Sequence, residues 1–252
     1  MNKKLSAIAL GLALGWSALA SASDLIVTAV ANESRPAADR ALDAGRKPAE
    51  VLSFFEIEPG MSVLDVFGGG GYYTEILSSA VGEDGFVTLY NNKGWENFVG
   101  KQVDERLAGD RLANVDRLMA APEAIMDMSD QYDAAIFVLG MHDIYVSDPE
   151  NDWPQIDRDR FLKGLYQVLA PGAVLGVVDH NAESGSDPAV VGKTLHRIDP
   201  AIIIRDLQAA GFVLEARSDA LRNPADSLDK SVFDEQLRWK TDRSVLRFRK
   251  PE

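Results

Sequence analysis

The stretch Asp65-Val-Phe-Gly-Gly-Gly-Gly-Tyr-Tyr-Thr74 constrains this chain more than any other part of it. The run before it, Ser62 to Phe67, is short and apolar, as expected of a strand buried on both faces. After it, Tyr73, Ile76, Leu77, Ala80 and Val81 recur at helical spacing on one face. Glycines between a strand and a helix permit a tight turn and close approach of another group to the backbone. The free N–H groups of the helix start favour polar or anionic atoms. An acid at the strand end, Asp65, can order the loop or accept a hydrogen bond from a ligand amine. With a strand before it and a helix after it, the loop points to ligand binding rather than to a turn that only packs helix on strand.

The same alternation continues along the chain. "FVTLY" reads as a second strand, followed by a helical stripe of Trp95, Phe98, Val99, Val103 and Leu107. "VDRLMAA" and "YDAAIFVLG" are the third and fourth strands, and Phe161, Leu162, Leu165, Tyr166, Val168 and Leu169 stripe the next helix. "VLGVVD" is the fifth strand, Ile203, Leu207 and Ala210 mark a helix, and "FVLEARS" and "SVLRFRK" close the set. Strands alternating with helices predict an α/β fold: a mostly parallel sheet with helices on both faces. The segment between the last two strands reads as irregular, so the last strand is expected to be antiparallel. Arg35 to Phe55 reads as helical segments broken near Gly45 and Pro48. In such a sheet ligands bind at the carboxyl ends of the strands.

The start has the form of an export signal. Lys3 and Lys4 precede an apolar stretch, Leu5 to Leu19, too short to span a bilayer comfortably, and Ala20-Ser21-Ala22 is a small-x-small cleavage pattern. The expected organisation is a signal peptide over 1–22 and one domain over 23–252, with a helical lead-in over 23–60. The mature start lies near Ser23, or at Ser21 if cleavage follows Ala20. An exported, periplasmic protein with no membrane anchor after cleavage is the expectation. The absence of cysteine excludes a lipoprotein, a disulfide and a thiolate metal site. The chain has 39 acidic and 26 basic residues, a net charge of -13, and loss of Lys3 and Lys4 makes it more negative. Such a surface argues against nucleic acid and anionic lipid as partners and leaves a small molecule. No G-x-S-x-G elbow of a serine hydrolase is present.

"VLDVFGGGGYYTEILSSAVGEDGFVTLYNN" resembles the first motif and second strand of class I S-adenosylmethionine-dependent methyltransferases. The later run "VVDH…GS…LHRIDP…AGFVLE…LRNP…TDR…LRFRKP" resembles a group of exported members of that superfamily. The resemblance implies a Rossmann-like seven-stranded sheet with an antiparallel last strand, and S-adenosylmethionine as cofactor. It places Asp65, Gly69 and Gly71 at the positions that hold the methionine part, with Gly70 and Tyr72 beside them. Two residues depart from the pattern: Phe67 stands where a glycine is usual, and Asn91 stands near the place of the acid that takes the ribose hydroxyls. Asn91 is the candidate for that contact, and Glu123 or Asp127 for the adenine edge.

All three histidines fall near strand ends on the ligand-binding side: His142, His180 and His196, each with an acid nearby, Asp143, Asp179 and Asp199. Three readings stay open. A histidine steered by a carboxylate takes a proton from a hydroxyl or amine, which makes His142, Asp143, His180 and His196 catalytic candidates. Imidazoles and carboxylates also make a metal site, although the compact H-E-x-x-H spacing is absent. Separate structural hydrogen bonds are the third. A non-methylating metal enzyme or binding protein on the same fold is the alternative function. Tyr145 and Trp153 are expected to form an aromatic wall, Arg197 and Arg243 to meet the substrate, and Arg238 and Lys240 to join Arg243 if that substrate is anionic. Arg222, Asn223, Asp226, Asp242 and Arg243 read as a hydrogen-bonded clasp over the site.

Overall fold

A computed structural model of the protein describes residues 21–127 and 131–252. The expected signal peptide therefore lies, up to Ala20, outside the described residues. Seven strands form one sheet: β1 (Ser62–Val66), β2 (Phe86–Asn91), β3 (Val115–Met119), β4 (Tyr132–Val138), β5 (Leu169–His180), β6 (Val213–Ser218) and β7 (Arg243–Arg249), in the order β3-β2-β1-β4-β5-β7-β6. The first five pair in parallel, and β7 inserts antiparallel between β5 and β6. The expected topology is therefore observed, including the reversed last strand. The order turns back at β1 and β4, so ligands have a crevice at their carboxyl ends.

The two faces of the sheet bury different layers because side chains alternate along a strand. Leu64 and Val66 of β1 join a core with Phe137, Phe161, Leu165, Ile203 and Leu207, contributed partly by α7 (Arg158–Val168) and α9 (Pro200–Ala210). Val63 joins the opposite core with Leu52, Ile76, Leu77 and Ile26. That side is covered by α5 (Tyr72–Val81) and by the lead-in, which comprises α1 (Ala22–Ala31), α2 (Ala37–Arg40), α3 (Asp43–Arg46) and α4 (Pro48–Phe54). Helix α1 falls within the expected helical lead-in, ahead of the segments read over Arg35 to Phe55. It carries a capping box in which the Ser21 hydroxyl accepts from Asp24 N and the Asp24 carboxylate accepts from Ser21 N. Two further helices, α6 (Lys93–Leu107) and α8 (Pro188–Leu195), border the crevice.

Helix α6 departs from its apolar stripe. Phe98 is 72% exposed, and among the stripe residues only Val103 is buried. What α6 buries instead is Arg106, whose guanidinium donates to Glu75 of α5 and, at 2.8 Å, to Asp39 of α2, while its Nε donates to the carbonyl of Gly70 at 2.6 Å. This cation ties three helices to the glycine loop. Replacing it strands the buried Asp39 carboxylate and leaves the buried Glu75 carboxylate with Arg111 as its remaining cation. We expect Arg106→Met to cost on the order of 3–5 kcal/mol, the scale for breaking a buried ion pair, read as a lowered urea midpoint at pH 7. A loss below about 1 kcal/mol, the scale of a solvent-exposed pair, would show that the network is not buried in solution.

Candidate functional site

A cavity of about 640 Å³ opens at the carboxyl edge, and all three histidines line it. Its lining combines Arg46 from the lead-in, Trp95 and Phe98 from α6, Leu139 and Asp143 after β4, Trp153, and Phe233, Arg238 and Trp239 from the irregular segment before β7. Leu139, His196 and Trp239 adopt left-handed backbone (φ 59°, 56° and 67°), as does Phe67 nearby (φ 50°). Non-glycine residues held this way carry strain on the order of 1–3 kcal/mol each, and such residues gather at functional sites.

The glycine loop is organised from within. Asp65 is buried, accepts from the Thr74 hydroxyl at 2.7 Å, and lies directly under Gly68, where a Cβ would come within 2.8 Å of its carboxylate. Burial pushes its carboxyl up to about 7, against the opposing pull of Thr74 and the Arg46 and Arg106 cations. Of the two roles open to this acid, the structure shows the ordering of the loop. Gly71 caps α5 with φ 82°, and a Cβ there would strike Arg106 and Leu89. Gly70 faces the end of the Gln102 side chain of α6, which would have to move to admit a Cβ. Gly69 faces the Trp95 ring.

Asn91 requires a correction. Its side chain has no exposed surface and is spent on the loop: Oδ1 accepts from Gly69 N at 3.1 Å and Nδ2 donates to Gly69 O at 3.0 Å. It fixes Gly69 and is not free for a ribose. Tyr72 is likewise turned away, its hydroxyl donating to Asp43 at 2.6 Å. Arg197 and Arg243 do not line the cavity. Arg197 is fully buried, with a two-pronged ion pair to Asp226 and bonds to the carbonyls of Asn181 and Lys230. Arg243, nearly buried, donates to the Gly45 carbonyl at 2.6 Å. Tyr145 donates to Asp206 at 2.6 Å and is covered by Arg158, outside the lining. Each of these polar side chains satisfies a partner within the fold. Glu123 is exposed away from the cavity, and the Asp127 side chain lies outside the described residues.

The clasp exists, but behind the site. The Asp242 carboxylate accepts from Arg222 Nε, Asn223 N and Asn181 Nδ2, and Asp242 N donates to Asp226. It joins the irregular segment to the end of β5 and so positions three cavity residues: Arg238, which the basic run before β7 suggests, and Phe233 and Trp239, for which the sequence gives little signal. Arg46 is a further one. Its guanidinium lies over the Tyr72 ring at 4.3 Å and the Trp239 ring at 5.2 Å. The signal lay in Gly45, where a Cβ would come within 2.9 Å of the Trp239 carbonyl and so block the meeting of the two chain ends.

At the other end, the structure brings His142, Asp143, His180 and His196 together. His142 Nδ1 is 2.9 Å from Asp179 Oδ1, and its backbone N donates to Asp179 Oδ2 at 2.9 Å. His142 Nε2 is 3.4 Å from Asp143 Oδ1. Burial alone would lower the His142 pKa, but the Asp143 and Asp179 carboxylates outweigh it and hold it at about 9. Burial raises Asp143 to about 6. His180, with Nδ1 2.7 Å from the Thr241 hydroxyl, is lowered by burial to about 3. His196 is lowered by burial and the neighbouring His142 to about 4. The arrangement thus holds one protonated and two neutral imidazoles at neutral pH, none of them balanced near pH 7.

The residues present fit S-adenosylmethionine. Two buried donors of lining residues, the indole N–H of Trp95 and Nε of Arg46, have no partner among the described residues. Unpaired buried donors are rare, and a ligand with carboxylate, hydroxyl or ring-nitrogen acceptors would satisfy them. They border Gly69 and Tyr72, at the end where the glycine loop lies.

The Asp65 carboxyl gives a test of the loop. Its ordinary value is 3.8, and its folded value is near 7. Between these the unfolded chain has lost the proton and the folded chain keeps it, so stability falls as pH rises, by up to about 1.4 kcal/mol per pH unit. Asp65→Asn, which can still accept from Thr74, removes that loss. We expect the difference in melting temperature, variant minus parent, to become more positive from pH 5 to pH 8. A pH-independent difference would refute the raised carboxyl.

Comparison with known proteins bears on the fold around this site. Residues 14–121 match the family model described as protein-L-isoaspartate(D-aspartate) O-methyltransferase. The ubiquinone/menaquinone biosynthesis C-methyltransferase of Shewanella woodyi is 29% identical over 123 residues, covering 48% of this chain and 43% of that protein. Its counterpart in Legionella pneumophila is 26% identical over 128 residues, covering 51% and 46%. The chain thus spans less than half the length of these relatives. Among solved structures, a SAM-dependent methyltransferase from Aquifex aeolicus superposes with a TM-score of 0.56 at 21% identity, covering 80% of this chain and 88% of that one. Aeropyrum pernix fibrillarin, solved with natively bound S-adenosyl-L-methionine, gives 0.52 at 12% identity, covering 82% and 76%. At these identities the structures speak for the fold alone: the chain is similar in sequence to methyltransferases over about half of its length and has the fold of S-adenosylmethionine-dependent methyltransferases of known structure.

Proposed function

We propose that this protein is an exported, periplasmic enzyme that methylates a small, flat, largely apolar acceptor bearing a hydroxyl or comparable nucleophile. The observation that carries the proposal is the cavity itself. It reaches from unpaired donors beside the glycine loop to the histidine cluster, between walls of Trp95, Phe98, Trp153, Phe233 and Trp239. Flat aromatic walls suit a ring-bearing acceptor and bury it at low entropic cost. When bound, S-adenosylmethionine supplies an electrophilic methyl group. Arg46 would take its carboxylate, the Trp95 N–H a further acceptor atom, and Gly69 would allow close approach. His180 contributes at the acceptor end. With Nδ1–H donated to Thr241, its Nε2 is left as an acceptor that orients a hydroxyl of the substrate. Binding and alignment do most of the work in direct methyl transfer, since in-line placement alone removes much of the barrier. The net negative charge of the protein supports a small-molecule partner over nucleic acid or an anionic membrane. No described helix is long and apolar enough to cross a membrane.

Calorimetric titration of S-adenosylmethionine into protein spanning 21–252 tests the first step. We expect saturable binding, weakened about tenfold or more by Arg46→Ala, equivalent to roughly 1.4 kcal/mol. No heat at millimolar ligand would refute the proposal. Asn91→Ala, which leaves both polar groups of Gly69 unpaired, should destabilise the protein by about 1–3 kcal/mol and weaken binding as well. Export makes its own prediction. The capping box of α1 needs Ser21, so processing after Ala20 keeps the helix intact, whereas processing after Ala22 removes its cap. N-terminal sequencing of protein recovered from the periplasm should therefore begin at Ser21. Recovery of an unprocessed N-terminus from the cytosol would refute export.

A further inference from the structure

We propose that His142 Nε2, the Asp143 carboxylate and a ring nitrogen of His196 form a three-ligand site for a divalent transition-metal ion, of the class represented by Zn²⁺, at the acceptor end of the cavity. Ligand atoms of the three residues lie within 4.8 Å of one another. Two of them already have the spacing an ion imposes. His142 Nε2 and Asp143 Oδ1 are 3.4 Å apart, long for a charge-assisted hydrogen bond, which runs about 2.7–2.9 Å. Two ligands of a tetrahedral ion with bonds of about 2.1 Å sit about 3.4 Å apart. His196 needs only a small inward movement to join them, and it is free to make it. Among the described residues, neither of its ring nitrogens has a hydrogen-bond partner, and the residue is only half-buried. Its ring is held by edge contacts alone, 5.5 Å from His142 and 4.8 Å from Phe233 between centroids.

The support behind the ligands is that of a metal centre. Asp179 binds His142 Nδ1 at 2.9 Å and thereby aims Nε2 at the site, the carboxylate–imidazole pairing that orients metal ligands. Charge argues the same way. Asp143 and Asp179 are both buried around one imidazole, so even a protonated His142 leaves a net negative charge there. Buried charge requires compensation. No lysine or arginine among the described residues forms an ion pair with either carboxylate. A divalent ion with a neutral His142 makes the group neutral overall. Two histidines and one carboxylate leave coordination positions open, here toward the cavity that His142, Asp143 and His196 line. A substrate oxygen or sulfur binding there would lose its proton at neutral pH without a side-chain base.

The metal site rests on the side-chain geometry and is tested without methyl transfer. Protein spanning 21–252, freed of metal with chelator, is titrated with Zn²⁺ by calorimetry and with Co²⁺ by visible absorption. The expected result is one ion per chain, with ligand-field bands of a four- or five-coordinate Co²⁺ site. His196→Ala and Asp143→Asn should each weaken binding about tenfold or more, while His180→Gln leaves it unchanged. The His196 ring makes no hydrogen bond among the described residues, and its backbone bond to Gly192 O does not depend on the side chain, so its variant is expected to fold, checked by its melting transition. Failure of the parent protein to bind either ion stoichiometrically overturns the proposal, as does undiminished binding in the His196→Ala/Asp143→Asn double variant. Cofactor binding with no metal binding would sink this site and leave the methyltransferase reading standing.

Discussion

A single buried carboxylate organises the reactive edge. Asp179, at the end of β5, accepts from the backbone N and Nδ1 of His142 and from the backbone N of His180 at 2.7 Å. An ionised carboxylate out of contact with water demands such a set of donors, and its cost is recovered only while all of them stay in place. The chain after β4 is therefore not free to wander. Leu139 N still donates to Val178 O at 2.7 Å, extending the β4–β5 ladder, and its left-handed backbone then throws residues 141–145 across the end of β5. The His142 carbonyl forms part of the surface against which α8 packs at Gly192, where a Cβ would sit 3.1 Å from it. Helix α8 ends in His196, whose left-handed backbone caps it. One carboxylate thus sets the loop, the loop seats a helix, and the helix end carries the third histidine.

The opposite wall depends on Phe67. A phenylalanine at φ 50° bears a conformational penalty that glycine would not. The ring offsets it by packing against Tyr90, Phe137, Trp153 and Phe161 at centroid distances of 5.4–6.3 Å. A buried phenylalanine is worth about 3–5 kcal/mol by truncation, against strain on the order of 1–3. The backbone of the glycine position survives, and the side chain becomes an anchor for Trp153. That indole also donates to the Asp143 carbonyl at 3.2 Å and lies so close to Gly94 that a Cβ there would overlap it. The departure from the family pattern at Phe67 therefore builds the cavity wall.

The sheet was legible because periodicity and strand-end chemistry are local. Apolar runs bounded by glycine and proline gave the strands, and residues at their carboxyl ends, His142 and His180, had to face one crevice. Side-chain direction was not legible. Asn91 stands at the right place for a ribose but turns to Gly69, because two unpaired backbone groups of the loop lie nearer. Arg197 and Arg243 look like anion-binding residues, yet carbonyls and carboxylates inside the fold claim them. Phe98 kept helical spacing while facing the mouth of the cavity. Arg46 and Trp239 meet only because the lead-in and the irregular segment close on each other, a long-range contact that no periodicity reports. In α1, Ser21 of the Ala20-Ser21-Ala22 pattern is also the N-cap, paired with Asp24 three residues on, and the sequence of a cleavage pattern does not reveal that second role.

The charge of the protein and the charge of its cavity have opposite tendencies, and the difference is informative. Arg247 and Arg249 are absorbed by Glu56 and Glu215 at the sheet surface, so the basic tail adds little to the outer field. Arg46, Lys193 and Arg238 instead line the cavity. Arg46 and Arg238 both lie over Trp239, at 5.2 and 5.4 Å, while elsewhere His142 of the lining is flanked by Asp143, also on the lining, and by Asp179, buried behind it. An acidic exterior repels polyanions at distances up to the Debye length, about 8 Å at physiological salt. Inside a low-dielectric cleft the local charges dominate. The cavity is therefore polarised, with cations around Trp239 and carboxylates around His142. A zwitterionic cofactor with its carboxylate toward Arg46 suits one end, and a cation held by His142, Asp143 and His196 suits the other. The aromatic rings between them favour a flat apolar body.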